Sequence, residues 1–121
     1  MAILYILRRP HFPVIVVVEA RVFRARSSSD LEKLLLRELK ADVNIRLLDS
    51  DWNWFNTLDG EVVAVSPLIA GMHSIPKQAL IDLVNGRANK AEGAPSYERR
   101  SLSSRGREEI FQELLAILPG R

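Results

Sequence analysis

The chain has 121 residues, of which 47% are hydrophobic and 26% charged; it has no cysteine and a formal net charge of +2. This length and apolar content are typical of one folded domain and exclude a wholly disordered chain. The absence of cysteine excludes disulfide scaffolds, thiolate metal sites and cysteine nucleophiles, and favours a cytoplasmic location. The longest apolar runs, residues 2–7 and 12–18, are much shorter than the roughly 20 residues of a membrane span, so no membrane partner is expected.

The first quarter of the chain is rich in β-forming residues. Residues 2–7 form a short apolar run, and a segment with two prolines separates it from Val14–Arg26. Because β-branched residues dominate its first half, Val14–Arg26 is predicted to be one long strand. Two adjacent large apolar residues, Val22 and Phe23, predict a bulge in this strand.

A helix is predicted over residues 29–40. Ser29 and Glu32 have the spacing of a capping box, in which each side chain satisfies a backbone N–H of the first turn. Leucines then recur at intervals of three and four residues, which places them on one face: Leu31, Leu34, Leu35 and Leu39.

Residues 44–66 are predicted to form an antiparallel meander. Three short β-prone segments, 44–48, 52–57 and 62–65, alternate with turn residues. Asp59 and Gly60 form the dipeptide that is typical of a tight hairpin.

The C-terminal part is predicted to hold two helices joined by a long loop. The first helix covers 75–85 and ends in a left-handed stop at Asn85-Gly86. Residues 87–104 show no apolar periodicity and are polar and basic, which predicts a long irregular loop. The last helix covers 107–118, and one of three preceding serines is expected to cap it: Ser101, Ser103 or Ser104.

This order of elements predicts a single α+β domain over residues 1–121. We expect a mixed or antiparallel sheet of four to five strands, with about three helices packed mainly on one face. The apolar positions predict a core that includes Val16, Val18, Leu35, Val63, Leu80, Leu83, Phe111 and Leu114.

No motif specific for catalysis or cofactor binding is present. The sequence has neither a nucleotide-binding glycine motif nor a Gly-x-Ser-x-Gly turn. Asp49, Asp51 and Asn53 alternate like the start of a calcium loop, but Trp54 stands where glycine is needed, and Gly60 replaces the bidentate glutamate. We therefore predict no catalytic, cofactor-binding or metal-binding residues and favour a non-enzymatic protein.

An enzyme site formed by residues distant in the sequence would change the interpretation of a non-enzymatic protein. A site invisible in the sequence would require distant charged residues to converge in the fold, and the candidates are Glu19, Arg21, Asp49 and Asp51. Such a cluster of acids could serve an enzyme or a small-molecule binder.

The aromatic and basic residues indicate a partner instead. Trp52 and Trp54 would share one face of a strand and either pack beneath a helix or form part of an interface. The predicted loop mixes cations with an aromatic ring, which is typical of phosphate-binding and base-stacking surfaces as well as of solvated loops. The candidate partner-binding residues are Trp52, Trp54, Tyr97, Arg99, Arg100 and Arg105.

Two functions are compatible with these features. The first is a small protein-interaction or regulatory module with an unknown protein partner. The alternative is a nucleic-acid-binding accessory protein that uses the basic segments 21–26 and 87–107. A homo-oligomer is compatible with either function.

Overall fold

Six strands and three helices make up the part of the chain that the computed structural model describes: residues 3–38, 43–58, 63–67, 77–90 and 106–120. The strands are β1 (Ile3–Tyr5), β2 (Val14–Val18), β3 (Arg21–Ala25), β4 (Ile45–Leu48), β5 (Trp54–Leu58) and β6 (Val63–Pro67). The helices are α1 (Ser28–Glu38), α2 (Lys77–Asn85) and α3 (Arg107–Ile117).

The strands form one mixed sheet in the order β1-β6-β5-β4-β2-β3. β1 runs parallel to β6, and all other neighbouring strands are antiparallel. The α+β class and the predicted meander of β4, β5 and β6 are confirmed, with one strand more than the four to five expected. β1 and β3 lie at the two edges of the sheet.

The additional strand arises because the single strand predicted over Val14–Arg26 is wrong. Val18 pairs with Arg21, so Glu19 and Ala20 form a two-residue turn between β2 and β3. Glu19 has a φ of 53°, in the left-handed region that such turns require. Neither turn residue is glycine or asparagine, so the sequence lacked the usual hairpin signal, and the pair Val22-Phe23 was interpreted as a bulge.

Helices cover both faces of the sheet. The side chains of α1 pack on one face in the α1-side cluster, which includes Val16, Phe23, Leu35, Leu47 and Phe55. The side chains of α2 and α3 pack on the other face in the α2/α3-side cluster, which includes Ile15, Leu48, Leu80, Phe111 and Leu114. The prediction that the helices pack mainly on one face of the sheet therefore holds for α2 and α3, whereas α1 packs on the opposite face.

The helix starts differ from the predictions. The N-cap of α1 is Ser27, whose hydroxyl oxygen accepts the N–H of Asp30 at 3.2 Å, so the predicted capping role of Ser29 is wrong. The N-cap of α3 is Gly106, which provides no side-chain cap, so the predicted serine cap is wrong as well.

The end of α2 also differs from its prediction. No left-handed conformation occurs at Gly86, whose N–H donates to the Asp82 carbonyl at 3.0 Å. Instead, the buried side chain of Arg87 turns back and donates from Nη1 to the Val84 carbonyl at 2.6 Å. A guanidinium at a helix C-terminus satisfies free carbonyls and interacts favourably with the helix dipole.

Most of the predicted core is confirmed. Six of the eight named residues are buried: Val16, Val18, Leu35, Leu80, Phe111 and Leu114. Leu83 is partly buried, and the side chain of Val63 lies outside the described part of the chain. Among the helices that are described, none is long and apolar enough to cross a membrane.

Replacing Leu114 by alanine should lower the free energy of unfolding by about 2–5 kcal/mol, because Leu114 is fully buried between α3 and the sheet. Urea unfolding checks this value. Leu36→Ala is the matched control: Leu36 is 61% exposed, and its loss should change stability by less than about 0.5 kcal/mol. Equal effects of the two changes would contradict the assigned face of α3.

Candidate partner-binding surfaces

Trp52, a predicted partner-binding residue, is part of the core. It lies in the loop between β4 and β5 with a φ of 64°, and its side chain is buried. Its ring centroid is 6.3 Å from that of Phe111, and the guanidinium carbon of Arg107 lies 5.5 Å from the centre of its ring. Trp52 therefore anchors the loop to α3 and does not form an open aromatic surface.

Trp54 lies on the same side of the sheet. It stands opposite Leu48 in the β4–β5 pair and packs, partly buried, against the α2/α3-side cluster. The guanidinium carbon of Arg46 is 5.1 Å from its ring centre. The other candidate partner-binding residues lie outside the described part of the chain: Tyr97, Arg99, Arg100 and Arg105.

The loop that holds Trp52 is organised by the buried carboxylate of Asp49. Oδ1 accepts the backbone N–H groups of Asp51 and Asn53, and Oδ2 accepts that of His11 at 3.1 Å. The N–H and the hydroxyl of Ser50 both donate to the His11 carbonyl. These bonds join the segment before β2 to the β4–β5 loop, so the carboxylate of Asp49 stabilises the turn.

A cleft of about 490 Å³ lies beside this loop, at the N-terminal end of α3. Its lining combines the rings of Phe12, Trp52 and Phe111 with side chains of opposite charge, among them Asp51 and Arg107. The mixed charges do not select a ligand of one sign. The cleft therefore indicates no chemical class of ligand by itself.

His11 and Asp51 form a close pair at the surface near the cleft. The contact joins His11 Nδ1 to a carboxylate oxygen of Asp51, and both side chains are more than half exposed, at 71% and 53%. The neighbouring hydroxyl of Ser50 donates to the His11 backbone and not to its ring. No nucleophile–base arrangement results from these contacts, although an aspartate–histidine pair alone is chemically compatible with proton transfer.

The distant acids whose convergence could have formed a hidden site do not come together. Glu19, in the turn between β2 and β3, lies beside the start of β4, where its carboxylate accepts the Asn44 N–H at 3.0 Å. Asp49 follows the last residue of β4, Leu48, so β4 separates the two acids. Within the described ranges, no group of three or more histidine and acidic side chains could hold a metal ion.

The basic segment 21–26 is largely engaged in holding the fold together. Arg21 donates to Glu38 at 2.7 Å. Arg24 donates from Nη1 to the carbonyls of Leu115 and Ala116, at 3.1 and 3.3 Å, and so caps the C-terminal end of α3. Only the third arginine of the segment, Arg26, is exposed without such a described contact. These contacts leave little free positive charge in this segment for a phosphate backbone.

The β3 edge of the sheet is covered by the chain itself. The Asn89 side chain acts like a strand residue: its Oδ1 accepts the Val22 N–H at 2.9 Å and its Nδ2 donates to the Val22 carbonyl at 2.8 Å. The Ala88 N–H donates to the Ala20 carbonyl at 2.7 Å. The start of the predicted irregular loop is thus docked on β3.

The C-terminal end of the described chain completes this cover. The Arg24 N–H donates to the Pro119 carbonyl at 2.8 Å, and Gly120 forms a parallel bridge with Arg24. Gly120 has a φ of 132°, and a Cβ built there would lie 2.1 Å from the Arg24 carbonyl oxygen. Only glycine fits this close approach. No local sequence pattern predicts this pairing, because it joins residues about 95 positions apart along the chain.

The β1 edge, formed by Ile3–Tyr5, is different. β6 is the only strand beside β1 among those described. In the described ranges, three large hydrophobic side chains are exposed, and two of them lie in or next to β1: Leu4 at 54% and Leu7 at 77% exposure. An uncovered edge strand with exposed apolar side chains is a template for pairing with another chain.

A cluster of charges holds the C-terminal turn of α1 to β3. Glu38 accepts hydrogen bonds from Arg37 at 2.9 Å and Arg21 at 2.7 Å, and both guanidinium groups lie over the ring of Phe23. Burial raises the pKa of Glu38, but the hydrogen bonds and charges of Arg37 and Arg21 outweigh it, so the pKa lies below its ordinary value.

This lowered pKa predicts a pH dependence of stability. The ionised Glu38 stabilises the folded state fully above the pKa of the unfolded chain, about 4.3 for glutamate. The contribution is lost as the pH falls through the lower pKa of the folded state. The free energy of unfolding of Glu38→Gln, compared with the unmodified chain by urea unfolding from pH 7 to 3, should differ most at neutral pH. A difference that grows on acidification would contradict this assignment.

Comparison with known proteins identifies no relative of this chain. No protein-family model matches it, and neither a curated protein nor a solved structure is significantly similar to it. A function must therefore be inferred from the surfaces described above.

Proposed function

We propose that this chain is a small, non-enzymatic protein-interaction module and that its partner adds a strand to the β1 edge. The observation that supports this proposal is the contrast between the two edges of one sheet. The β3 edge is closed by Ala88, Asn89, Pro119 and Gly120, whereas Leu4 and Leu7 are exposed beside an edge strand that has β6 as its one described neighbour.

Strand addition is a common mode of peptide recognition. The backbone of the partner pairs with free N–H and C=O groups, and alternate side chains provide specificity. Natural sheets usually cover or charge an edge to prevent such pairing, as this chain does at β3. An open edge with apolar side chains is therefore unfavourable for a free monomer and favourable for a binding protein.

Nucleic-acid binding, the alternative function, has less support in the described residues. Its first basic segment, 21–26, has two of its three arginines engaged with Glu38 and the end of α3. In its second segment, 87–107, Arg87 is buried at the end of α2 and Arg107 lies over Trp52. An enzymatic function has weaker support still, because the acids do not converge.

The proposal is tested by photo-cross-linking in a lysate of the source cells. A photoreactive benzoylphenylalanine in place of Leu4 should form a covalent adduct with a protein, because Leu4 would lie in the interface. Treatment with nuclease should not change the adduct. Cross-links at position 4 that disappear with nuclease would instead support the nucleic-acid alternative.

A matched control uses the same photoreactive residue in place of Leu36, which is also exposed but lies on α1. Position 36 should not give the adduct seen at position 4. The same adducts at both positions, or no protein adduct at position 4, would contradict a binding surface at β1.

A further inference from the structure

We propose that the strand which adds to β1 belongs to an acidic, extended peptide segment, with an apolar side chain beside Leu4 and carboxylates that bind Arg8 and Arg9. This inference rests on the proposed function of the β1 edge and adds the chemistry of the partner.

The backbone of β1 has one side available for pairing. The Ile6 N–H donates to the Val65 carbonyl at 2.8 Å, so Ile6 directs its backbone groups toward β6. Backbone groups alternate in direction along a strand, so Leu4 does the same, and Ile3 and Tyr5 direct theirs away from the sheet. The outer edge thus offers the N–H and C=O groups of two residues to a partner.

The side chains of β1 define the two faces of this edge. Ile3 and Tyr5 pack against the α1-side cluster, and the Tyr5 hydroxyl is 2.5 Å from that of Ser28. Leu4 points to the opposite face, where 54% of it is exposed. An added strand would therefore cover Leu4 with its own side chain on that face.

Two arginines follow directly on this edge. The Arg8 N–H donates to the Ile6 carbonyl at 2.7 Å, and Leu7 between them has a φ of 66°, so the chain reverses sharply at the end of β1. The guanidinium carbon of Arg8 lies 5.6 Å from the ring centre of Phe55, and that of Arg9 lies 4.8 Å from the ring centre of Tyr5. Arg9 is thus held over the edge strand itself, whereas Arg8 lies farther in, over β5.

These two arginines are available to an anion. Both are exposed, and no ion pair joins either of them to a carboxylate of the described residues. A guanidinium that lies over an aromatic ring keeps its N–H groups in its own plane, where a carboxylate can accept two of them. Charge complementarity therefore favours a partner with acidic residues next to its pairing strand.

A second copy of this chain would satisfy the edge less well. In an antiparallel pair centred on Leu4, the two leucines would meet, but Arg8 and Arg9 of each copy would lie at opposite ends without a carboxylate. A parallel pair would place the arginines of both copies side by side, where like charges repel. Since β1 has only three residues and offers few backbone hydrogen bonds, the electrostatic interaction with Arg8 and Arg9 decides between an acidic peptide and a second copy of the chain.

The probe is a synthetic peptide, acetyl-Glu-Glu-Val-Thr-Val-Thr-Val-Glu-Glu-amide, titrated into the full chain labelled with ¹⁵N. Its acidic ends allow either strand direction. We expect saturable NMR shifts of the Ile3 and Tyr5 amides, and at least about tenfold weaker binding when lysines replace the glutamates. An otherwise identical peptide that is N-methylated on its valines and threonines should not bind, because in neither strand direction can its backbone donate to the edge.

Matched variants locate the charge contacts on the protein. The double variant Arg8→Glu, Arg9→Glu should weaken binding of the acidic peptide at least about tenfold. Arg26→Glu changes an exposed arginine away from β1 and should leave binding unaltered. Circular dichroism of all variants verifies that each is folded, so that a lost shift is not a lost fold.

Several results would overturn the inference. The acid preference is wrong if the lysine peptide binds equally well, or if Arg8→Glu, Arg9→Glu binds as the unmodified chain does. Shifts of Ile3 and Tyr5 that appear on raising the concentration of the chain alone would assign the edge to a second copy. A thymidine oligonucleotide that shifts the same amides and binds more tightly than the peptide would assign the β1 edge to nucleic acid.

One further result separates this inference from the proposed function. If no peptide binds while the photo-cross-link at position 4 still forms, the partner is not acidic, but the proposed function survives.

Discussion

Burial of β2 on both of its faces is the constraint on which this structure depends. All five side chains, Val14–Val18, are at most 2% exposed. Alternate residues of a strand point to opposite faces, so such a strand requires a hydrophobic layer above and below it. α1 provides one layer, and α2 together with α3 provides the other.

Because both faces of β2 must be covered, the helices have to be held firmly against the sheet. Arginines stabilise the ends of all three described helices. Arg24 of β3 caps α3, and Arg21 of β3 binds Glu38 at the end of α1, so both join a helix to the sheet. Arg87 caps α2 from just beyond that helix. These three arginines belong to the segments that suggested a nucleic-acid surface in the sequence, and each of them has a structural use. The residues that follow α2 and α3 bring Asn89 and Gly120 to β3 and close that edge. At the β1 edge the described residues provide no such cover, and this contrast is the reason for the proposed function.

Local patterns in the sequence were sufficient for much of the fold. The spacing of Leu31, Leu34 and Leu35 predicted α1, because an amphipathic helix has a period that a single sequence displays. The last helix was also predicted close to its observed bounds, over 107–118. The hairpin at Glu19-Ala20 was missed because neither residue has intrinsic turn preference. There the left-handed φ of Glu19 is supported by tertiary contacts with Asn44.

The candidate site was less predictable than the fold. Trp52 and Trp54 were singled out for their residue type, but whether an aromatic side chain is covered depends on distant elements such as α3. The importance of Leu4, Arg8 and Arg9 follows only from the strand order, which places β1 at an edge beside β6 although some 60 residues separate them. A sequence pattern indicates which face of a helix or strand is apolar, but it says little about which other elements lie beside it in the fold.

The central claim is that one edge of this sheet is closed and the other is open, and amide hydrogen exchange of the isolated chain tests it most directly. The N–H groups of Val22 and Arg24 are bonded to Asn89 and Pro119, so both amides should exchange slowly. The outward amide of Tyr5 should exchange much faster than that of Ile6, which is bonded to Val65. Slow exchange of Tyr5, at the rate of Val22, would show that the β1 edge is covered in the free chain and would contradict the account.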